Sequence, residues 1–142
     1  MEVQQGRFKM AMGIQDVQSS FGRCALKPDF LDTFYKIFMA TSPEVAALFK
    51  NTDFQKQKKV IQMSLNMLIT HAMGTGVVEG YLQQLADSHS RKGLNIEPRH
   101  YATWLDCLMK TVKQYDPKYT PELEQAWRAC LNKGIDLIKS KY

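Results

Sequence analysis

The stretch Tyr81-Leu82-Gln83-Gln84-Leu85-Ala86-Asp87-Ser88-His89 decides the fold. Wound as an α-helix, it sets Leu82, Leu85, Ala86 and His89 at i−7, i−4, i−3 and i on one face. A single histidine therefore closes an otherwise apolar stripe, just before a break at Gly93. The stripe alone leaves two readings open. The histidine is either half-buried and satisfied by a neighbouring polar group, or an axial metal ligand facing a flat, apolar cofactor. Neutral imidazole suits the second role because it is a good donor to iron.

Helical signals continue on both sides. Upstream, Gly74-Thr75-Gly76 breaks a long helix that starts from the cap Asn51-Thr52-Asp53. Its apolar positions are Val60, Ile61, Leu65, Leu68 and Ile69, with Met63 and Met67 as fillers. Before it, Ser42-Pro43-Glu44 starts a short helix ending by Phe49-Lys50: a capping serine, a proline where no amide hydrogen is needed, and an acid at the positive helix end. Pro28 is expected to open the preceding helix, which carries Phe30, Leu31, Phe34, Tyr35, Ile37 and Phe38. Ile14, Val17, Phe21 and Cys24 mark a first helix from Gly13 to about Ala25, and residues 1–12 are expected to form a loose lead-in.

Downstream, Gly93 to Glu97 connects to a helix opened by Pro98 and bearing Tyr101, Trp104, Leu105, Leu108, Met109 and Val112. Asp116-Pro117 leads to Thr120-Pro121-Glu122, the start of a last helix with Leu123, Trp127, Cys130, Leu131, Gly134, Leu137 and Ile138. No stretch alternates with a two-residue period between turn signals, so no strands are expected. The expectation is all-α, about seven helices of unequal length, in a single domain over 13–142. Such unequal lengths argue against a regular four-helix bundle.

Bulk composition agrees. With 142 residues, 44% hydrophobic and 23% charged, the chain can bury one real core. The net charge of +5 is dispersed, from Lys56, Lys58 and Lys59 through Arg91 and Lys92 to Lys133, Lys139 and Lys141. No basic run alternates with aromatics, so nucleic acid is not an expected partner and these residues are read as solvated helix faces. Cys24, Cys107 and Cys130 are far apart, without a C-x-x-C pair, which leaves zinc ribbons, thioredoxin-like chemistry and covalent c-type haem attachment unsupported. Their apolar neighbours suggest buried thiols in a reducing compartment. No apolar segment of signal-peptide length opens the chain, and nowhere do 18 apolar residues run together. A cytoplasmic protein with no membrane partner is expected.

Taken in order, the landmarks resemble the globin family, in particular the bacterial single-domain haemoglobins and the globin half of flavohaemoglobins. The resembling pieces are Phe34-Tyr35-Lys36-Ile37-Phe38, then Ser42-Pro43-Glu44-Val45 with Leu48-Phe49, then Gln57-Lys58-Lys59-Val60-Ile61. Leu85-Ala86 leading to His89, then His100-Tyr101 and Ala126-Trp127, complete the set. The resemblance spans roughly Gly13 to Tyr142 and implies a globin fold around a pocket for haem b.

It further implies that His89 is the proximal haem ligand, its other ring nitrogen bonded to a carbonyl one turn back, that of Leu85 or Ala86. Phe49 matches the phenylalanine that wedges the haem after the short helix, and plain core packing is compatible with that role. Tyr35 and Gln57 match a distal pair of hydrogen-bond donors to bound oxygen. The alternative for Tyr35 is a buried hydroxyl bonded to a backbone carbonyl; for Gln57, a solvated helix start. The Gln57 register is preferred because it brings Ile61 and Leu65 to the same pocket, whereas Gln55 would bring in the charge of Lys59. Each such hydrogen bond contributes roughly 1.5–3 kcal/mol, and about 1.4 kcal/mol is tenfold in affinity.

His71 lies about 20 Å beyond Gln57 along the helix, too far to be a distal ligand. His100 falls near the haem edge, and Arg91, Lys92 and Arg99 are candidate partners for haem propionates. In flavohaemoglobin-type relatives the proximal histidine is paired with a tyrosine, matched here by Tyr101, and a glutamate, whose place falls on Tyr142. Without that acid the histidine donates less electron density to iron. This favours reversible binding of oxygen, carbon monoxide and nitric oxide, which is the leading expectation. The alternatives are a nitric oxide dioxygenase served by a separate reductase, since the chain carries no G-x-G-x-x-G motif, and a haem gas-sensor domain.

Overall fold

A computed structural model describes residues 12–142; the expected lead-in, apart from Met12, lies outside the described residues. Among those residues the chain forms seven helices and no strand. They are α1 (Ile14–Ala25), α2 (Phe30–Met39), α3 (Pro43–Leu48), α4 (Phe54–Ala72), α5 (Glu79–His89), α6 (Pro98–Tyr115) and α7 (Pro121–Ser140).

The helix starts follow their caps. The Val45 amide donates to Ser42 Oγ at 3.1 Å, the Gln55 amide to Asp53 Oδ1 at 3.0 Å, and the Leu123 amide to Thr120 Oγ1 at 3.1 Å. Pro43, Pro98 and Pro121 occupy first-turn positions where a missing amide hydrogen costs nothing. Pro28 departs from expectation, since α2 begins two residues later with Asp29 at its cap position. The Lys27 amide still donates to the Cys24 carbonyl at 3.0 Å, closing the end of α1, and the Phe30 amide bonds Lys27 oxygen at 3.2 Å. The chain must complete that turn before a new helix can start. After α4 the break is made by Gly74 and Gly76 at φ of +80° and +72°, a region that favours glycine.

α7 packs against α1, α4 and α5, while α2 packs on α6. Trp127, Phe34, Leu65, Leu82, Leu108 and Leu131 are fully buried at the centre. On α4 the buried face is Ile61, Leu65, Leu68, Ile69 and Ala72. Val60 and Met63 are 43% and 45% exposed: Val60 opens onto the cavity between the helices, whereas Met63 lies off the stripe set by its buried neighbours. The three thiols are free and buried; burial pushes Cys24 up to about 12 and Cys130 to about 11.

One buried polar cluster fastens the far end of the molecule. Asp116 accepts from Ser20 Oγ at 2.5 Å and from Arg23 Nε at 2.7 Å, and Ser20 Oγ accepts from Trp127 Nε1 at 2.9 Å. Arg23 is thus an ion-pair partner, as is Arg128 with Asp106 and Glu124; of the cations read as solvated, Lys58 pairs with Asp32 at 3.0 Å. No helix among the described residues is long and apolar enough to cross a membrane.

Candidate functional site

α2, α4, α5 and α6 enclose a cavity of about 470 Å³, floored by Ile135 and Ile138 of α7. Tyr35, Phe49, Gln57, Ile61, Leu85, His89 and Tyr101 all line it. Their convergence has a local cause on each element. The 3.6-residue period puts Gln57, Ile61, Ser64 and Leu68 on the face of α4 that meets the cavity, and Leu85 and His89 on that of α5. Tyr35, Phe49 and Trp104 bring aromatic rings to one wall, with Phe34 and Phe54 packed behind them: Tyr35 lies 5.4 Å from both Phe49 and Phe54, centre to centre, and Phe34 stands 6.0 Å from Trp104, all three contacts edge-to-face.

His89 ends α5, and its Nδ1 lies 2.8 Å from the Leu85 carbonyl oxygen and 3.1 Å from Ser88 Oγ. A carbonyl only accepts, so Nδ1 carries the proton and Nε2 keeps its lone pair. Burial holds the imidazole below its ordinary pKa, and the Leu85 bond opposes that only in part. The group is therefore a neutral donor in an apolar cavity. That is the state in which histidine binds a metal.

Tyr35 is 3% exposed, and burial pushes its phenol up to about 12. The Gln57 side chain acts in the opposite sense, without a formed hydrogen bond between the two. At neutral pH Tyr35 is thus a protonated donor held by ring packing. Tyr101 is likewise pushed up to about 12 by burial. It shares the cavity with His89, although the partners found on His89 Nδ1 are Leu85 and Ser88. Tyr142 turns to the loop after α5, where its hydroxyl donates to Asn95 Oδ1 at 2.6 Å and its ring lies under the Arg91 guanidinium at 4.6 Å. His71 is not among the lining residues. Arg99 is engaged by Glu44 and Glu97.

A family model for globins matches residues 32–137. The chain belongs to the globin family. The match spans the stretch from α2 to α7 that encloses the cavity, and the all-α architecture is the globin fold. A solved structure from Pseudomonas aeruginosa PAO1, described as structurally highly homologous to a human hemoglobin, is 37% identical with a TM-score of 0.87. The similarity covers 91% of this globin and 97% of that chain. No curated protein matches.

Several lining residues of this globin escaped the sequence reading. Trp104, one turn from Tyr101, and Ser64, two turns from Gln57, were within reach of helical periodicity. Leu94 and Ile96 were not, because they sit in the loop after α5. Backbone bonds place them: the Leu94 amide donates to Ser88 oxygen and the Ile96 amide to His89 oxygen, each at 2.8 Å.

Proposed function

We propose that this globin reversibly binds oxygen, and also carbon monoxide and nitric oxide, at haem b held by His89. The observation that carries the reading is the His89–Leu85 hydrogen bond, which directs an unprotonated Nε2 at a ligand in an apolar cavity. The residues present fit the group: a neutral imidazole, an aromatic wall that packs against a flat ring, and about 470 Å³ of space. Haem, when bound, would supply an iron that can take a diatomic gas as ligand.

The chain's own residues then divide the work. His89 holds the metal through Nε2, and Leu85 fixes its tautomer and ring orientation. Tyr35, protonated by virtue of burial, and the Gln57 amide are donors for the partly negative outer atom of a gas molecule. Phe49, Ile61 and Leu85, which line the cavity, would pack against the ring and keep water from it. Because the second nitrogen of His89 meets a neutral carbonyl and no carboxylate, its push toward the metal is modest, which favours reversible binding over oxygen activation. The buried free thiols suit a reducing, cytoplasmic compartment.

The test is an absorption spectrum of the purified protein. A Soret band is expected, with its loss or a large shift in His89→Ala. A colourless protein that ignores added haemin would overturn the reading.

A further inference from the structure

Four side chains meet where α3 faces the start of α6. Glu44 lies in the first turn of α3, Glu97 is the residue before α6, and Arg99 and His100 are in its first turn. One guanidinium nitrogen of Arg99 sits 2.5 Å from Glu44 Oε1 and 2.6 Å from Glu97 Oε2. His100 Nε2 is 3.2 Å from that same Glu44 oxygen, but out of line for a hydrogen bond, and neither ring nitrogen has a partner. His100 is only 5% exposed. One donor atom from each of Glu44, Glu97 and His100 falls within 4.8 Å of the others.

We propose that Glu44, Glu97 and His100 form a binding site for a divalent transition-metal ion such as Zn²⁺, in which the Arg99 guanidinium stands in as the resident cation. A single positively charged nitrogen already bridges two carboxylates there. Zinc takes carboxylate oxygens and imidazole nitrogen at about 2.0–2.2 Å, so donor atoms that lie within 4.8 Å of one another draw together by roughly 1 Å on binding, a movement open to the two glutamate side chains. The buried, unpartnered imidazole is the feature that an ion pair with arginine does not use. It also sets the metal class: nitrogen with two carboxylates suits zinc, cobalt or nickel, whereas calcium and magnesium prefer all-oxygen sites. Arg99 is the exchangeable member, since its side chain is 62% exposed and can move to water without burying its charge. Three protein ligands leave a fourth position for water. His100 also lines the cavity, so this site borders the proposed haem pocket, although its three ligands need no haem to bind an ion.

Calorimetric titration of the full chain with Zn²⁺ tests it. Arg99→Ala removes the competing cation and is expected to bind one ion at least tenfold more tightly than the parent. Adding His100→Gln or Glu97→Gln to that variant is expected to weaken binding at least tenfold, with unchanged helical circular dichroism. Glu97, which is half-buried, keeps the test valid if His100→Gln unfolds. Titrating the His89→Ala background separates this site from the imidazole of His89, the other histidine that lines the cavity. Binding that persists without His89 supports the proposal, and binding that vanishes with it overturns it. Failure of Arg99→Ala to bind, or equal affinity with and without Glu97, would equally overturn it.

Discussion

His89 Nδ1 stands 2.8 Å from the carbonyl oxygen of Leu85, one helical turn back, and that contact settles which ring nitrogen carries the proton. The same turn that supplies the apolar stripe supplies the acceptor, so helix geometry alone prepares the donor.

The pH dependence of stability follows from this pair. Burial lowers the folded-state value of His89 below the ordinary 6.5. As pH falls, the unfolded chain takes up this proton before the folded one does. Stability is thus full above 6.5 and declines as pH drops from there toward the folded-state value. Thermal melts of haem-free protein from about pH 7 to about pH 5 are expected to show that decline, and His89→Gln to flatten it. Parallel slopes would assign the effect to other groups.

Tyr35→Phe isolates a hydroxyl. The ring is braced by Phe34 at 5.1 Å and by Phe49 and Phe54 at 5.4 Å, and phenylalanine keeps that packing. Loss of one hydrogen bond to a partly charged acceptor corresponds to roughly tenfold or more in affinity. Stopped-flow measurement of oxygen release is expected to show an acceleration of that size. An unchanged rate would mean that Tyr35 serves only the aromatic wall.

Asp116 carries the largest stability prediction. Burial works to raise its pKa, but Arg23, Ser20 and the Lys118 amide outweigh burial and hold the carboxyl below its ordinary 3.8. That contribution is fully present above 3.8 and fades as pH falls through the lower folded value. Asp116→Ala leaves Arg23 and Ser20 without their acceptor, a loss of about 3–5 kcal/mol for a buried pair. Arg23 is 27% exposed, so water relieves part of it and the low end is expected. Urea unfolding measures the loss, and Trp127 fluorescence reports the change locally because its Nε1 donates into the cluster.

What was legible in the sequence was what repeats at a helical period. Leu85, His89, Gln57, Ile61 and Tyr35 lie on faces that 3.6 residues per turn makes visible, and resemblance then ordered those faces around one cavity. Leu94 and Ile96 lack a period because backbone bonds to Ser88 and His89 place them. Glu44 read as an acid answering a helix end, while its partner Arg99 lies 55 residues away and no local rule joins the two. Asp116 looked like a turn residue for the same reason, its partners Ser20 and Arg23 being 96 and 93 residues distant. Pro28 misled in the opposite way. A strong local signal for a helix start was overridden by the turn that finishes α1.

Gly134 couples the packing of α4 and α7 to the cavity. A Cβ there would come within 2.4 Å of Leu68 Cδ2. Leu68 lines the cavity, so the open space beside its side chain is the space that a cofactor would fill. In haem-free protein the leucine can yield into that space, and the cost of overpacking, about 1–3 kcal/mol when nothing can move, is offset by the gain of about 1 kcal/mol for alanine over glycine in a helix. Gly134→Ala is therefore expected to change haem-free stability by no more than about 1 kcal/mol while weakening haem retention several-fold. Adding Leu68→Ala removes the intruding methyls and is expected to restore retention, at a cost in stability. Haem transfer to an excess of an acceptor protein measures retention, and urea unfolding measures stability. Strong destabilisation of the haem-free single variant would show instead that Leu68 is held rigidly and the two helices must part.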